Sequence, residues 1–363
     1  MPLMTESQRL PTSGARAVEH FSIGGSEYLL VPQIAYDSPS SPAGMNGGDS
    51  NTDVSVYVRK GDEYVPAGTL PGTGGEDAEF FAIGDRHFLA IASVRMGSGP
   101  YNFRSASPIY EWIDGAFEPF QSIAGYAAKQ WRHFEIENTH FLGLAQNRPG
   151  PASLSSMIYR WNGVQFEEFQ EIPSRGGYNI DHFEIGGEHY IAHADHSMPS
   201  RLYRWDGDAF VEHQDLVSTG GRAFALISNT SGTYLAVACM FAESLILRWN
   251  GERFVEHQEL EGGLGGREFA QLELAGKRYL IRVNFITGSQ QDPHPELDSF
   301  VYTADESAFD LIERFPTSGG TDVTVFDVAD ERAIVAVSNA LTADAGFRAD
   351  TVVYTFSATE SDN

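Results

Sequence analysis

Cysteine, lysine and long apolar runs are all scarce in this chain of 363 residues, and each shortage excludes something. A single cysteine, Cys239, rules out an internal disulfide; within the apolar run AVAC it reads as a small core residue rather than a nucleophile. Lysine occurs only at Lys60, Lys129 and Lys277, and the 24 Lys+Arg face 50 Asp+Glu, a net charge of −26. Such a surface repels phosphate backbones and anionic lipid, so neither nucleic acid nor membrane is an expected partner. No stretch approaches the roughly 18 consecutive apolar residues of a membrane helix. The opening MPLMTESQRLPTSG shows neither the basic start nor the apolar core of a secretory signal. The expectation is a soluble, cytoplasmic monomer. Also missing are a nucleophile elbow, a phosphate-cradling glycine loop ahead of a helix, a paired-cysteine motif and HExxH.

What the chain has instead is a phrase repeated. YRWNG at 159–163 returns as YRWDG at 203–207 and LRWNG at 247–251. Around it runs a longer unit, seen whole in YNIDHFEIGGEHYIAHADHSMPSRLYRWDGDAFVEHQDLVSTGG at 178–221. It contains four short runs of period-2 alternation, joined by GG, a variable loop and DG. Alternating runs joined by Asn-Gly or Asp-Gly are the signature of antiparallel hairpins. The opening-strand anchors of successive units are Phe21, Phe81, Phe134, Phe183, Ile227, Leu272 and Phe326. Four strands repeated at a period of roughly forty to fifty residues give a β-propeller blade. The fold class expected is therefore all-β: a seven-bladed β-propeller of four-stranded antiparallel blades in one domain. The blades fall at about 18–75, 76–127, 128–177, 178–221, 222–266, 267–320 and 321–356 plus 6–14.

The last assignment comes from the two chain ends. The seventh unit runs out after TVVYTF (351–356) with room for three strands, while RLPTSGARAV at 9–18 aligns without a gap to RFPTSGGTDV at 314–323. The N-terminal segment is expected to supply the outer strand of the last blade, which also removes an exposed sheet edge. Trp112, Trp161, Trp205 and Trp249 each end a third strand and are expected to pack between blades.

The unit resembles the epilepsy-associated repeat, also called EPTP. The residues that carry the likeness are the F-x-I-G-G-x-x-Y frame and the S-x-I-Y-R-W-N-G-x-x-F frame, as in WRHFEIENTHFLGLAQN (131–147) and MIYRWNGVQF (157–166). The resemblance covers essentially the whole chain and implies a seven-bladed propeller that acts as a protein–protein interaction module. It also implies a calcium ion in the central channel, held by aspartates at an Asp-[Val/Trp] position. Asp322-Val323 fits that pattern, Asp77-Ala78 fits it loosely and Glu268-Phe269 departs further.

The residues just before each first strand, Ala17, Asp77, Gln130, Asn179, Ala223, Glu268 and Asp322, are expected to ring the channel. Its carboxylates, Asp322, Asp77 and Glu268, would repel one another unless protonated, hydrated or bridged by a hard cation such as Ca²⁺. The loops between second and third strands vary most, at 32–53, 93–107, 284–298 and 338–350, so a site is expected on that face. Candidate chemistry lies in His193-Ala-Asp195-His196 and around Asp292 and His294, as metal ligands or acid–base groups. Arg95, Tyr101, Arg104 and Arg348 are further candidates for a mouth pocket. His20, His133 and His182 share one repeat position and read as packing.

Three functions remain open on these residues. The first is a binding or scaffold propeller that presents its loop-rich face to a protein or small-molecule ligand. The second is a non-classical enzyme with its active site in the channel-mouth pocket. The third is a lectin, disfavoured because no loop residues recur from blade to blade.

Overall fold

The alternation in each repeat becomes four strands hydrogen-bonded in chain order. In the fourth blade these are Gly177–Ile185, Glu188–Asp195, Ser200–Trp205 and Phe210–Val217. A computed structural model describes residues 2–39, 44–147, 155–329 and 331–358. Among these residues there are seven four-stranded antiparallel sheets and one small hairpin, Thr287–Gly288 with Pro293–His294. No described helix is long and apolar enough to cross a membrane. First strands touch first strands all the way round: Glu19–Ile23 lies against both Gly75–Ile83 and Gly320–Ala329. The molecule is a seven-bladed β-propeller.

Closure uses both chain ends. Met4–Leu10 pairs antiparallel with Thr351–Ser357, Leu10 opposite Thr351 and Met4 opposite Phe356. The pairing segment starts earlier than residue 6 and stops at Leu10. The next residues, PTSG, turn across the seam: the Thr12 hydroxyl donates to the Ala349 carbonyl at 2.8 Å, and the Gly14 amide donates to the Phe347 carbonyl at 2.6 Å. On the other side, the Glu313 carboxylate accepts the amides of Leu3 and Met4.

The turn residues explain the repeated tryptophan phrase. Asn162 Oδ1 accepts the amides of Val164 and Gln165, and Asp206 and Asn250 do the same in the next two blades. The side chain thus closes the turn itself, while the following glycine takes positive φ (95° at Gly163). Each tryptophan packs, tilted or edge-on, against the phenylalanine across its hairpin and against an aromatic of the preceding blade. Trp161 lies 5.1 Å from Phe166 and 5.7 Å from Phe88; Trp205 lies 5.0 Å from Phe210 and 5.8 Å from Phe141. The histidines at the shared first-strand position stack on the opening-strand anchor of the preceding blade: His20 on Phe326, His133 on Phe81 and His182 on Phe134. The core is therefore a set of wedges between blades, and space is left for a ligand at the axis.

Candidate functional site

Each first strand opens with a slip in register. The slips fall between Gly75 and Asp77, Ala128 and Gln130, Gly177 and Ile180, Gly221 and Ala223, Gly266 and Glu268, and Gly320 and Asp322. In blade 1 the same offset separates the Ala15–Gln33 bridge from the Glu19–Leu30 pair. A bulge frees one residue from the ladder and re-aims its side chain. Here it delivers Arg16, Glu76, Lys129, Tyr178, Arg222, Arg267 and Thr321, one residue per blade, to the top of the channel. The turn ahead of the bulge is tight. A Cβ at Gly74 (φ 53°) would sit 2.2 Å from the Arg95 carbonyl oxygen, and one at Gly221 would sit 2.1 Å from Ser200 Oγ.

All of these except Thr321 line a cavity of about 580 Å³ at the loop-rich mouth. A second tier stands above them: Ile34, Val94, Asn147, His196, Met240 and Phe285, each just past a second strand. Their amides are fixed by the carbonyls of Gly14, Gly74, Ala127, Gly176, Gly220 and Gly265. The long loops of blades 1, 2 and 6 complete the wall with Met45, Asn46, Tyr101, Phe103 and Ile286 through Gln290. Asn46 Nδ2 donates to Gln290 Oε1 at 3.2 Å, so two of these loops meet over the mouth. The blade 7 loop stays out of the cavity; its Phe347 and Leu341 are buried in an apolar cluster with Ile34 and Phe285.

The floor of the cavity is basic in a strongly acidic protein. Glu76, 2% exposed, faces Lys129 Nζ at 3.1 Å, Arg267 at 3.5 Å and Arg16 at 3.6 Å. Burial alone would raise its pKa, but these three cations override that and hold it near 2. The Arg222 guanidinium lies 3.6 Å from the centre of the Tyr178 ring, with Lys129 and Arg267 at 5.2 and 5.3 Å. For Tyr178 burial again works upward, and Arg222 and Lys129 override it, bringing the phenol down to about 7. His196 packs 5.8 Å from Tyr178; burial, then Arg222, lowers it to about 4, so it is neutral at pH 7. Three guanidinium nitrogens of this ring, Arg16 Nε, Arg222 Nε and Arg267 Nη1, are buried without a hydrogen-bond partner.

Below the floor the channel narrows to about 170 Å³ and turns acidic. The Asp77 carboxylate accepts the Trp131 amide at 2.7 Å; Asp322 accepts the Val18 and Val323 amides, both at 2.8 Å; Glu268 accepts Asn179 Nδ2 at 2.9 Å. Their oxygens thus tie blade to blade. Among the described residues no three His, Cys, Asp or Glu side chains converge as a metal-ligand set. Burial first, then the neighbouring carboxylates, pushes Asp77 and Glu268 up to about 8. Deeper still, Arg132 bridges Glu79 and Asp181 at 3.5 and 3.0 Å.

The other candidate residues disperse. His193 is buried between blades with Nε2 2.9 Å from Ser156 Oγ. Asp195 accepts Ser174 Oγ and the amides of Arg175, Gly176, Ser197 and Met198, which makes it a fastener of two loops. Of the His193-Ala-Asp195-His196 cluster only His196 reaches the cavity. Arg95 and Tyr101 also reach it, but the Arg95 guanidinium holds the blade 1 loop through Ser50 Oγ and the carbonyls of Asn46 and Gly47. Asp292 and His294 face solvent 3.9 Å apart, Arg348 is 86% exposed, and Arg104 is exposed. The residues that form the floor were not singled out in the sequence. They stand one place upstream of the expected channel ring, and the same repeat alignment read one column earlier would have exposed them.

A seven-bladed propeller with a basic, loop-walled mouth is thus the class of protein. The EPTP domain family model matches residues 6–44, 116–162, 165–206 and 209–250, and these matches place the chain in the EPTP, or EAR, repeat family. Over 128 residues the chain is 28% identical to the human thrombospondin-type laminin G domain and EAR repeat-containing protein, a match covering 35% of this chain and 18% of that protein. The mouse protein of the same name is 38% identical over 61 residues, 17% of this chain and 9% of its own length. The matched region thus spans less than a fifth of these relatives. Among solved structures, BBS1N crystallised in complex with ARL6DN superposes with a TM-score of 0.60 at 11% identity, covering 100% of this chain and 99% of that one. Sqt1 of Saccharomyces cerevisiae gives 0.58 at 13%, covering 99% and 100%. At such identities the likeness is one of fold alone.

Proposed function

We propose that this chain is a binding propeller that takes its ligand at the loop-rich face, in the axial mouth cavity. The observation that carries this reading is the cavity itself: about 580 Å³, within the range of small-molecule sites, apolar in its upper tier and polar at its floor. Its lining comes from six blades and from three of the four elaborated loops. Membership of a repeat family identified with interaction modules supports a binding role over a purely structural one. The test is native mass spectrometry of the chain incubated with a low-molecular-weight extract of its source cells. A bound mass is expected on the natural chain and lost in Thr287→Trp, which crowds the cavity. A mass retained in that variant, or none on either, overturns the reading.

A catalytic use of the same cavity has one specific observation in its favour, the Tyr178 phenol brought to about 7 beside three cations, where it can serve as a general base. That version requires the bound molecule to emerge chemically altered. Tyr178→Phe would then keep binding and lose conversion.

A further inference from the structure

We infer that the mouth cavity recognises a small organic oxyanion, a carboxylate or phosphate head on an apolar body, with the head on Arg16, Lys129, Arg222 and Arg267. This rests on the reading of the cavity as the ligand site and names the ligand's chemistry. Four cations from four blades surround one carboxylate, Glu76, so the floor carries excess positive charge. That excess is not background, because acidic residues outnumber basic ones about two to one in the chain. Arg16, Arg222 and Arg267 are 8%, 5% and 5% exposed and line this space, and Arg222 Nε and Arg267 Nη1 are buried without a hydrogen-bond partner, while Arg16 Nε has only the 3.6 Å ion pair with Glu76. A buried charged donor without an acceptor is costly, and an oxyanion supplies the missing acceptors with charge-assisted bonds.

Depth is set from below. Beneath the floor the channel narrows to about 170 Å³ between the blades, so the head stops at the guanidinium level. Above it, Ile34, Val94, Met240 and Phe285 form an apolar collar that a bare inorganic ion leaves uncovered. Access is narrowed where Asn46 meets Gln290, which favours a free small molecule over the inserted loop of a folded partner.

Isothermal titration at low salt tests this with benzoate, phenyl phosphate, inorganic phosphate, the neutral benzamide and an acidic hexapeptide. Benzoate and phenyl phosphate are expected to bind at least tenfold more tightly than benzamide, and phenyl phosphate more tightly than inorganic phosphate. Arg222→Gln with Arg267→Gln should weaken both organic anions at least tenfold, while the surface change Arg314→Gln leaves them unaltered. If the double variant fails to fold, Lys129→Gln carries the same expectation of weakened binding. Equal binding of benzamide, or indifference to these substitutions, sinks the oxyanion assignment while leaving the cavity as a ligand site by its own mass-spectrometric test. Binding of the peptide alone, or of none of these compounds, also overturns it.

Discussion

Gln8 and Tyr64 exchange two hydrogen bonds across the seam of the ring. Gln8 Nε2 donates to the Tyr64 carbonyl at 2.7 Å, and the Tyr64 amide donates to Gln8 Oε1 at 2.9 Å. The same reciprocal pair joins Gln121 to Phe166, Gln170 to Phe210, Gln214 to Phe254 and Gln258 to Phe309. The N-terminal strand therefore behaves as an ordinary outer strand, borrowed from the far end of the chain. Each bond contributes about 1 kcal/mol net, so Gln8→Ala is expected to lower the melting temperature by on the order of 2–4 °C. Deleting residues 1–14 strips Thr351–Ser357 of its partner and should lower it far more. Scanning calorimetry reads both, and an unchanged melting temperature on deletion would refute closure by this strand.

The Tyr178 phenol gives anion binding a pH dependence. It is faced by Arg222, Lys129, Arg267, Glu76 and His196; of these His196 and Glu76 titrate near 4 and 2 and keep one form from pH 6 to 9. Above about 7 the phenolate satisfies the guanidinium groups and competes with the ligand. Benzenesulfonate, whose own charge is fixed, should bind several-fold more weakly at pH 8 than at pH 6, approaching a limit of about tenfold per pH unit. In Tyr178→Phe the profile should be shallower, keeping only the part that Asp77 and Glu268, pushed up to about 8 below the floor, contribute. A natural chain with equal affinity at both pH values contradicts this role.

Acid should weaken the fold through the stacked histidines. Burial first, then the neighbouring His140 or His189, lowers His133 and His182 to about 4. A folded pKa below the unfolded value means that the unfolded chain binds more protons. The stabilisation is complete above about 6.5 and is lost as pH falls toward 4, at no more than about 3 kcal/mol for each residue. The double variant His133→Gln, His182→Gln should show a shallower decline of melting temperature between pH 6.5 and 4. A decline as steep as that of the natural chain would assign acid sensitivity elsewhere.

Asp195 should prove a structural residue. Removing it leaves four backbone amides and a hydroxyl without their acceptor in a buried loop junction. Asp195→Ala is expected to cost about 3 kcal/mol or more of stability, measured by denaturant unfolding. The contrary result, normal stability with lost ligand binding, would return the residue to the site.

The propeller was legible because its signals are local and repeated. Alternation and the Asn-Gly turn of 162–163 needed only neighbouring residues to interpret, and the ungapped match of 9–18 with 314–323 needed only the repeat alignment. The mouth was legible in outline from its loops, and Arg95, Tyr101 and His196 do line it. The floor was hidden by the bulge. Strict period-2 alternation puts Asp77 and Glu79 on the channel side and Glu76 behind them; one inserted residue lets Glu76 reach the axis as well. Density in ligand-type residues at Asp292 and His294 reflects a polar hairpin in solvent, where the two side chains stand 3.9 Å apart outside the lining of the mouth.

The bulge also separates two demands that most binding sites must reconcile. The wedges of aromatic and aliphatic side chains that hold neighbouring sheets together lie on other columns of the repeat, and of the floor residues only Tyr178 packs against one of them, so the apolar blade-to-blade packing does not run through Arg16, Lys129, Arg222 or Arg267. Those positions act as interchangeable settings on a fixed frame. Sister propellers built on the same repeat can hold their architecture constant while exchanging the chemistry at the axis one sheet at a time.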